Sequence, residues 1–434
     1  MTTVSFRFRR MAWARVLIVG LLCPSALRAD DWPQWRGANR DGVWSEGGIL
    51  EAFPAGGLEG RWSVPVGVGV SSPVVVQGGV YVTDAELVRS KARERVHCFE
   101  EATGKPRWSY AYDVNYPDWA LESFDKGFLG PVATPIVRDG KVYALGFLGH
   151  LCCLDAAKGD VLWRKDLPKA YPAKELHCHA SPLIEGDLLI VFVGAKPAAT
   201  LIAFDRNTGQ EVWKALDESA TSSSPIMITA GGGRQLIVWT QESVTSLDPA
   251  TGKTHWRQRL LTSADYVVST PVCHKDLLLL GGLMMKLDPD KPAASVLWPA
   301  TRAASRRILS HTSTALFRGD HLYSAKSFGE LVCIEASTGK QVWETDKVTE
   351  VRNGASIHLT ANGHCVFLYN ERGELIRAQL TPEGYQELGR VALLEPTYAF
   401  GGRKVAWAPP AYANRRVFVR SDKELICASL AAQP

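Results

Sequence analysis

The chain has 434 residues, with 49 Lys+Arg against 45 Asp+Glu and a formal net charge of +4. At 46% hydrophobic and 22% charged residues it lies in the range of globular proteins, which excludes disordered, collagen-like and polytopic membrane chains. One compact core rarely extends over such a length, so an architecture built by repetition is the first expectation.

Residues 1–29 read as a cleavable secretory signal. Arg7, Arg9, Arg10 and Arg15 precede the apolar run Val16 to Cys23, and Leu27-Arg28-Ala29 offers a cleavage site before Asp30. The run is shorter than the roughly 20 residues of a spanning helix, so a periplasmic or secreted protein without a transmembrane span is expected. Cleavage takes five arginines and no acids from the +4 total and leaves −1. A near-neutral chain without a long basic run argues against nucleic acid as a partner. Residues 30–59, which open with Asp31-Trp32-Pro33-Gln34-Trp35-Arg36-Gly37, read as a capping segment before a domain over 60–434.

From Gly60 onward one phrase recurs: a small residue and proline opening a strand, a second apolar strand, then a carboxylate, Thr-Gly, and tryptophan four residues past the glycine. The copies reach Gly104 with Trp108, Gly159 with Trp163, Gly209 with Trp213, Gly252 with Trp256 and Gly339 with Trp343, and a degenerate one runs from Asp288-Pro289 to Trp298. Each turn carboxylate can accept backbone N–H groups, and each glycine supplies the positive φ of a hairpin. The mean interval from Trp108 to Trp343 is 47 residues, which suits four short strands. Openings near Ser72-Pro73, Thr134-Pro135, Ser181-Pro182, Ser224-Pro225, Thr270-Pro271, Ser313-Thr314, Ala355-Ser356 and Ala408-Pro409 give eight units. The fold class expected is all-β: an eight-bladed β-propeller of four-stranded antiparallel blades. The last unit has no Trp-bearing strand, whereas Trp62 lies in such a strand with no blade before it, so the N-terminal strand should join the last blade. Trp62, Trp108, Trp163, Trp213, Trp256, Trp298 and Trp343 are expected to dock each blade on the next.

Carried over residues 60–430, this phrase resembles the quinoprotein-type repeat of pyrroloquinoline quinone (PQQ)-dependent alcohol dehydrogenases and of the outer-membrane protein assembly factor BamB. The resemblance implies the propeller; it does not by itself imply a cofactor. In the dehydrogenases a disulfide of adjacent cysteines and a tryptophan sandwich the quinone beside calcium. Cys152-Cys153 is an adjacent pair, but Cys153 falls in the slot held elsewhere by Cys98, Ala203, Ser246, Cys333 and Cys427, which points to packing. His177-Cys178-His179 has metal-ligand spacing without a cluster to complete it, so no metal site is expected.

Segments joining one Trp strand to the next blade emerge at one rim. Two are long and aromatic: 109–131, with Trp119, and 393–407, with Trp407. Trp119, His177, His179, Arg306, His311, Asn353, Arg403 and Trp407 are therefore the candidate binding residues at the channel mouth. The function expected is a non-catalytic, BamB-like binding or assembly scaffold: no cofactor is expected, and the partner is an envelope or secreted protein segment or a small anionic ligand, held by a monomer. The alternative is a PQQ- and calcium-dependent quinoprotein alcohol dehydrogenase, with Asp265 or another acid at the mouth as base and Asn353 near calcium.

Overall fold

A computed structural model describes residues 1–2, 31–88, 91–124, 126–171, 176, 178–260, 267–299 and 309–432. The signal-peptide expectation falls on residues outside this set. Among the described residues, short strands separated by glycine turns form eight four-stranded antiparallel sheets in a ring, a β-propeller. Helix is confined to Asp118–Glu122 and Leu167–Ala170 among the described residues, and no helix there is long and apolar enough to cross a membrane.

Blades 1 to 7 span residues 74–114, 136–166, 183–215, 226–259, 272–298, 316–345 and 357–392, each a meander with its strands in chain order from the axis outward. Blade 8 takes three strands from 411–429 and its outermost from Trp62–Pro65, with Trp62 opposite Cys427. The blade count and the closure by the N-terminal strand agree with the sequence expectation.

The repeated phrase has a physical basis in one row of residues. Cys98 faces Trp108, Cys153 faces Trp163, Ala203 faces Trp213, Ser246 faces Trp256 and Cys333 faces Trp343, so in these five blades a small side chain leaves room for the indole, whereas Trp298 faces Met284. In each of these pairs the ladder bulges one residue later, which turns the outer strand. Trp108 then reaches blade 2: its Nε1 donates to the Ala156 carbonyl at 3.0 Å, and its ring lies 2.6 Å from where a Cβ on Gly159 would sit. Trp62 on Gly104, Trp163 on Gly209, Trp213 on Gly252 and Trp298 on Gly339 repeat this joint. Glycine is thus required twice, for its positive φ and for the indole against it. The turn itself is held by its acid, as where Asp155 Oδ1 accepts the N–H groups of Ala157 and Lys158, both at 2.9 Å.

Two joints differ. The turn after Trp256 is built on Asp288-Pro289 without glycine, and Trp256 Nε1 bonds Gln235 of its own blade at 3.1 Å. Blade 7 has no tryptophan: its bulge places Gly389 opposite Arg377. Phe53 fills that space, its ring carbon 3.3 Å from where a Cβ on Gly389 would sit, and Arg377 donates to the Glu51 carbonyl.

The segment before the first strand also crosses the ring. Trp32 bridges Val75 of blade 1, the Pro33 carbonyl accepts from Val137 of blade 2 at 2.9 Å, and Arg40 donates to the Pro182 carbonyl of blade 3 at 2.7 Å. Trp35 Nε1 donates to Thr270 Oγ1 of blade 5 at 2.8 Å, and Trp44 N–H to the Ala361 carbonyl of blade 7 at 2.9 Å. Asp31 and Glu46 accept the backbone N–H groups of Gln77 and Arg415, both in hairpins that follow an inner strand. Residues 31–46 therefore lie across the opening at the inner-hairpin end, and the segments that join blades lie at the other.

Candidate functional site

Inner strands that begin with a hydroxyl residue build the channel wall. The N–H groups of Ser72, Thr134 and Ser181 each donate at 3.0 Å to the hydroxyl that opens the next blade, on Thr134, Ser181 and Ser224 respectively. Thr270 donates likewise to Thr314 at 3.0 Å. These bonds satisfy backbone donors that no ladder can reach and fix the inner strands side by side. The cavity they enclose holds about 1230 Å³. Trp32, Trp35, Arg36 and Gly42 line its floor, and Trp119, Phe147, Phe400 and Trp407 line its mouth.

Of the candidate residues, the structure brings Trp119, His179, His311, Asn353 and Trp407 onto this channel. Trp119 is 55% exposed and leans edge-on against Phe128 and Phe147. Its loop is anchored by buried Glu94, which accepts from Tyr112 at 2.6 Å, Tyr116 at 2.7 Å and the Phe147 N–H at 3.1 Å. Burial raises the Glu94 pKa, and these three donors oppose the rise. Trp407 Nε1 donates to the Gly354 carbonyl at 2.9 Å, and its ring meets Tyr398 and Phe400. His179 lies 3.2 Å from Ser222 Oγ and packs on Phe147, and His311 stands edge-on to Trp239. Arg403 does not line the channel: it pairs with fully buried Glu371 at 3.1 Å and donates to the Asn353 carbonyl at 2.9 Å, which fixes the hairpin 398–405. His177, Arg306 and Asp265 lie outside the described residues.

The floor is the part that sequence reasoning missed. Arg36 donates to the carbonyls of Arg40 at 3.3 Å and Asp41 at 2.8 Å, and Arg40 to those of Pro182 and Ser181. Among the described residues neither guanidinium forms an ion pair. Burial lowers the pKa of Arg36 to about 10, with Asp41 opposing, and that of Arg40 to about 9, with the Arg36 charge adding. No carboxylate lines the channel among the described residues. His358, beside the floor, is held down to about 4 by burial, with the Trp407 carbonyl opposing and the Arg36 charge adding. The signal available in sequence was the Trp-Pro-Gln-Trp-Arg string, but nothing local shows that it crosses a channel.

A quinone–calcium arrangement needs a bridged cysteine pair and oxygen ligands for the metal. Cys152 packs toward blade 1 with Cys98, and Cys153 toward blade 3 with Trp163, so the two face opposite sides of their strand and both are free. Burial raises their thiols to about 12 and about 11. No group of three His, Cys, Asp or Glu side chains among the described residues is arranged to hold a metal. The donors among the described residues do not fit this pair of groups.

Ring, repeat and channel define a PQQ-like repeat propeller. The chain belongs to the family described as outer membrane protein assembly factor BamB, which matches residues 43–200, 197–291 and 287–381. It is similar to BamB of Shewanella oneidensis, 23% identical over 258 residues, covering 56% of this chain and 62% of that protein. It is also similar to a quinohemoprotein alcohol dehydrogenase of Comamonas testosteroni, 26% identical over 208 residues, covering 46% of this chain and 28% of that one. The chain therefore matches less than two thirds of the length of either relative. Among solved structures, BamB from Moraxella catarrhalis superposes with a TM-score of 0.57 at 15% identity, covering 85% of this chain and 98% of that one. The Comamonas testosteroni dehydrogenase gives 0.64 at 16% identity, covering 93% and 81%. At these identities the structural likeness concerns the fold.

Proposed function

We propose that this protein is an exported binding or assembly scaffold that engages a segment of an envelope protein at the aromatic mouth of its channel. The observation that carries the reading is the mouth itself: Trp119 stands 55% exposed on a loop anchored by a buried carboxylate, and Trp407 lines the same open cavity from the neighbouring loop, whose Tyr398 donates to the Gly127 carbonyl. An exposed indole on a rigid support loses little side-chain freedom on binding and brings a large apolar face, as interface anchors do. Membership of the BamB family, and its likeness to a relative named as an outer membrane protein assembly factor, support a protein partner.

The test is photo-crosslinking in the exporting cell, with a photoreactive phenylalanine at position 119 or 407 and, as control, at position 212 on the outer wall. Capture of the same envelope protein from 119 and 407, reduced at least about tenfold by Ala at the other position, is expected. Equal capture from 212 would remove the mouth from the reading. Addition of PQQ and calcium to the purified protein should give no alcohol-dependent dye reduction; turnover would favour the dehydrogenase class instead.

A further inference from the structure

We infer that the channel reads the C-terminal end of a polypeptide, with the terminal carboxylate seated against Arg36 at the floor. The inference rests on the reading above, in which the mouth engages a protein segment, and adds which part of the partner enters.

Three observations lead to it. Residues 31–46 lie across the inner-hairpin end, so the cavity has a mouth and a floor. An internal stretch of chain would have to enter such a space as a hairpin, whereas a chain end enters as a single extended strand. The second observation is size. At a rise of about 3.3 Å, a strand spacing of about 4.8 Å and a sheet spacing of about 10 Å, one extended residue occupies about 160 Å³. A cavity of about 1230 Å³ therefore takes on the order of seven residues, and it exceeds the roughly 300–1,000 Å³ typical of small-molecule pockets.

Charge decides which end enters. Arg36 has only neutral carbonyls as hydrogen-bond acceptors, and no carboxylate lines the cavity among the described residues. A cation so placed repels an N-terminal ammonium and attracts a carboxylate in a site partly withdrawn from water. The aromatic mouth, lined by Trp119, Phe147, Phe400 and Trp407, suits apolar or aromatic side chains near the end of the chain.

The experiment presents the purified protein with two displayed libraries of random heptapeptides, one ending in a free carboxylate and one tethered through its C terminus. The free-ended library should enrich, with apolar or aromatic residues in its last positions. The best sequence, labelled at its N terminus, is then measured by fluorescence polarisation as acid and as C-terminal amide. The acid should bind at least tenfold more tightly to the wild type. Arg36→Gln should bring the acid to the level of the amide, and Arg36→Lys should restore part of the difference. Trp407→Ala should weaken acid and amide alike. Equal affinity of acid and amide for the wild type, a comparison that involves no variant, would overturn end recognition and leave the mouth reading standing. Enrichment of acidic side chains in the tethered library would replace the terminus by a side-chain carboxylate. Tight binding of a free aromatic acid, with no gain from the peptide, would make the occupant a small anion. Failure of both libraries would remove both readings.

Discussion

The joint between blades 3 and 4 and the joint between blades 7 and 8 perform the same task with different material. At the first, Trp213 of the outer strand lies on Gly252 and donates to the Pro249 carbonyl at 3.0 Å. At the second, the outer strand has Gly389 at the bulge, and Phe53, from a segment outside the repeat, covers it. The ring needs a large apolar group in each gap, and it need not come from the blade that borders the gap. What the repeat supplies locally at one seam is supplied at the other by a segment 336 residues away in the chain, the separation of Phe53 from Gly389.

Mutations can break this equivalence. Trp213→Ala removes a buried indole and its hydrogen bond and should lower stability by about 3 to 5 kcal/mol in urea unfolding. Gly252→Ala forces a side chain into positive φ and against the same indole, 2.6 Å from the added Cβ, and should cost about 2 to 3 kcal/mol. Phe53→Ala deletes a half-buried ring and should cost about 2 kcal/mol. A loss from Phe53→Ala as large as that from Trp213→Ala would mean that the borrowed segment holds more than one seam. Gly389→Ala should change stability by less than about 1 kcal/mol, because its φ is not in the left-handed region and its nearest neighbour is 3.3 Å away.

A further expected effect concerns pH. His358 is neutral in the folded protein down to about 4, whereas its ordinary pKa is 6.5. Its contribution is complete above pH 6.5 and declines as pH falls toward 4, because the unfolded chain takes up the proton first. His358→Gln should remove about 3 kcal/mol of the stability lost between pH 7 and pH 4, read as a flatter dependence of the unfolding midpoint. Identical pH profiles for variant and wild type would exclude His358 as a source of that dependence.

The same contrast explains what was legible in sequence. Trp108 and its counterparts recur at intervals of 42 to 55 residues because each joint is local to two adjacent blades, so the fold and its blade count follow from spacing. Blade 7 announced itself only by its opening at Ala355-Ser356, since Phe53 replaces its marker. At the mouth, Trp119 and Trp407 stand out because their loops are long and aromatic. Arg403 attracted notice by its charge, yet Glu371 engages that charge. Arg36 is the reverse case, a charge inside a string that reads as packing, which takes its position on the channel only when residues 31–46 cross the ring.

Blade 8 has one further consequence, in time rather than space. Ser63 and its partner Glu424 are separated by 361 residues, so a nascent chain presents the Trp62 strand long before the strand that will cover it exists. Until then the first blade has an unsatisfied flank and the arc has two sticky ends. Anything that arrests synthesis before residue 424 therefore yields a molecule unable to lock, and a helper that shields the waiting strand would act on the newborn protein alone.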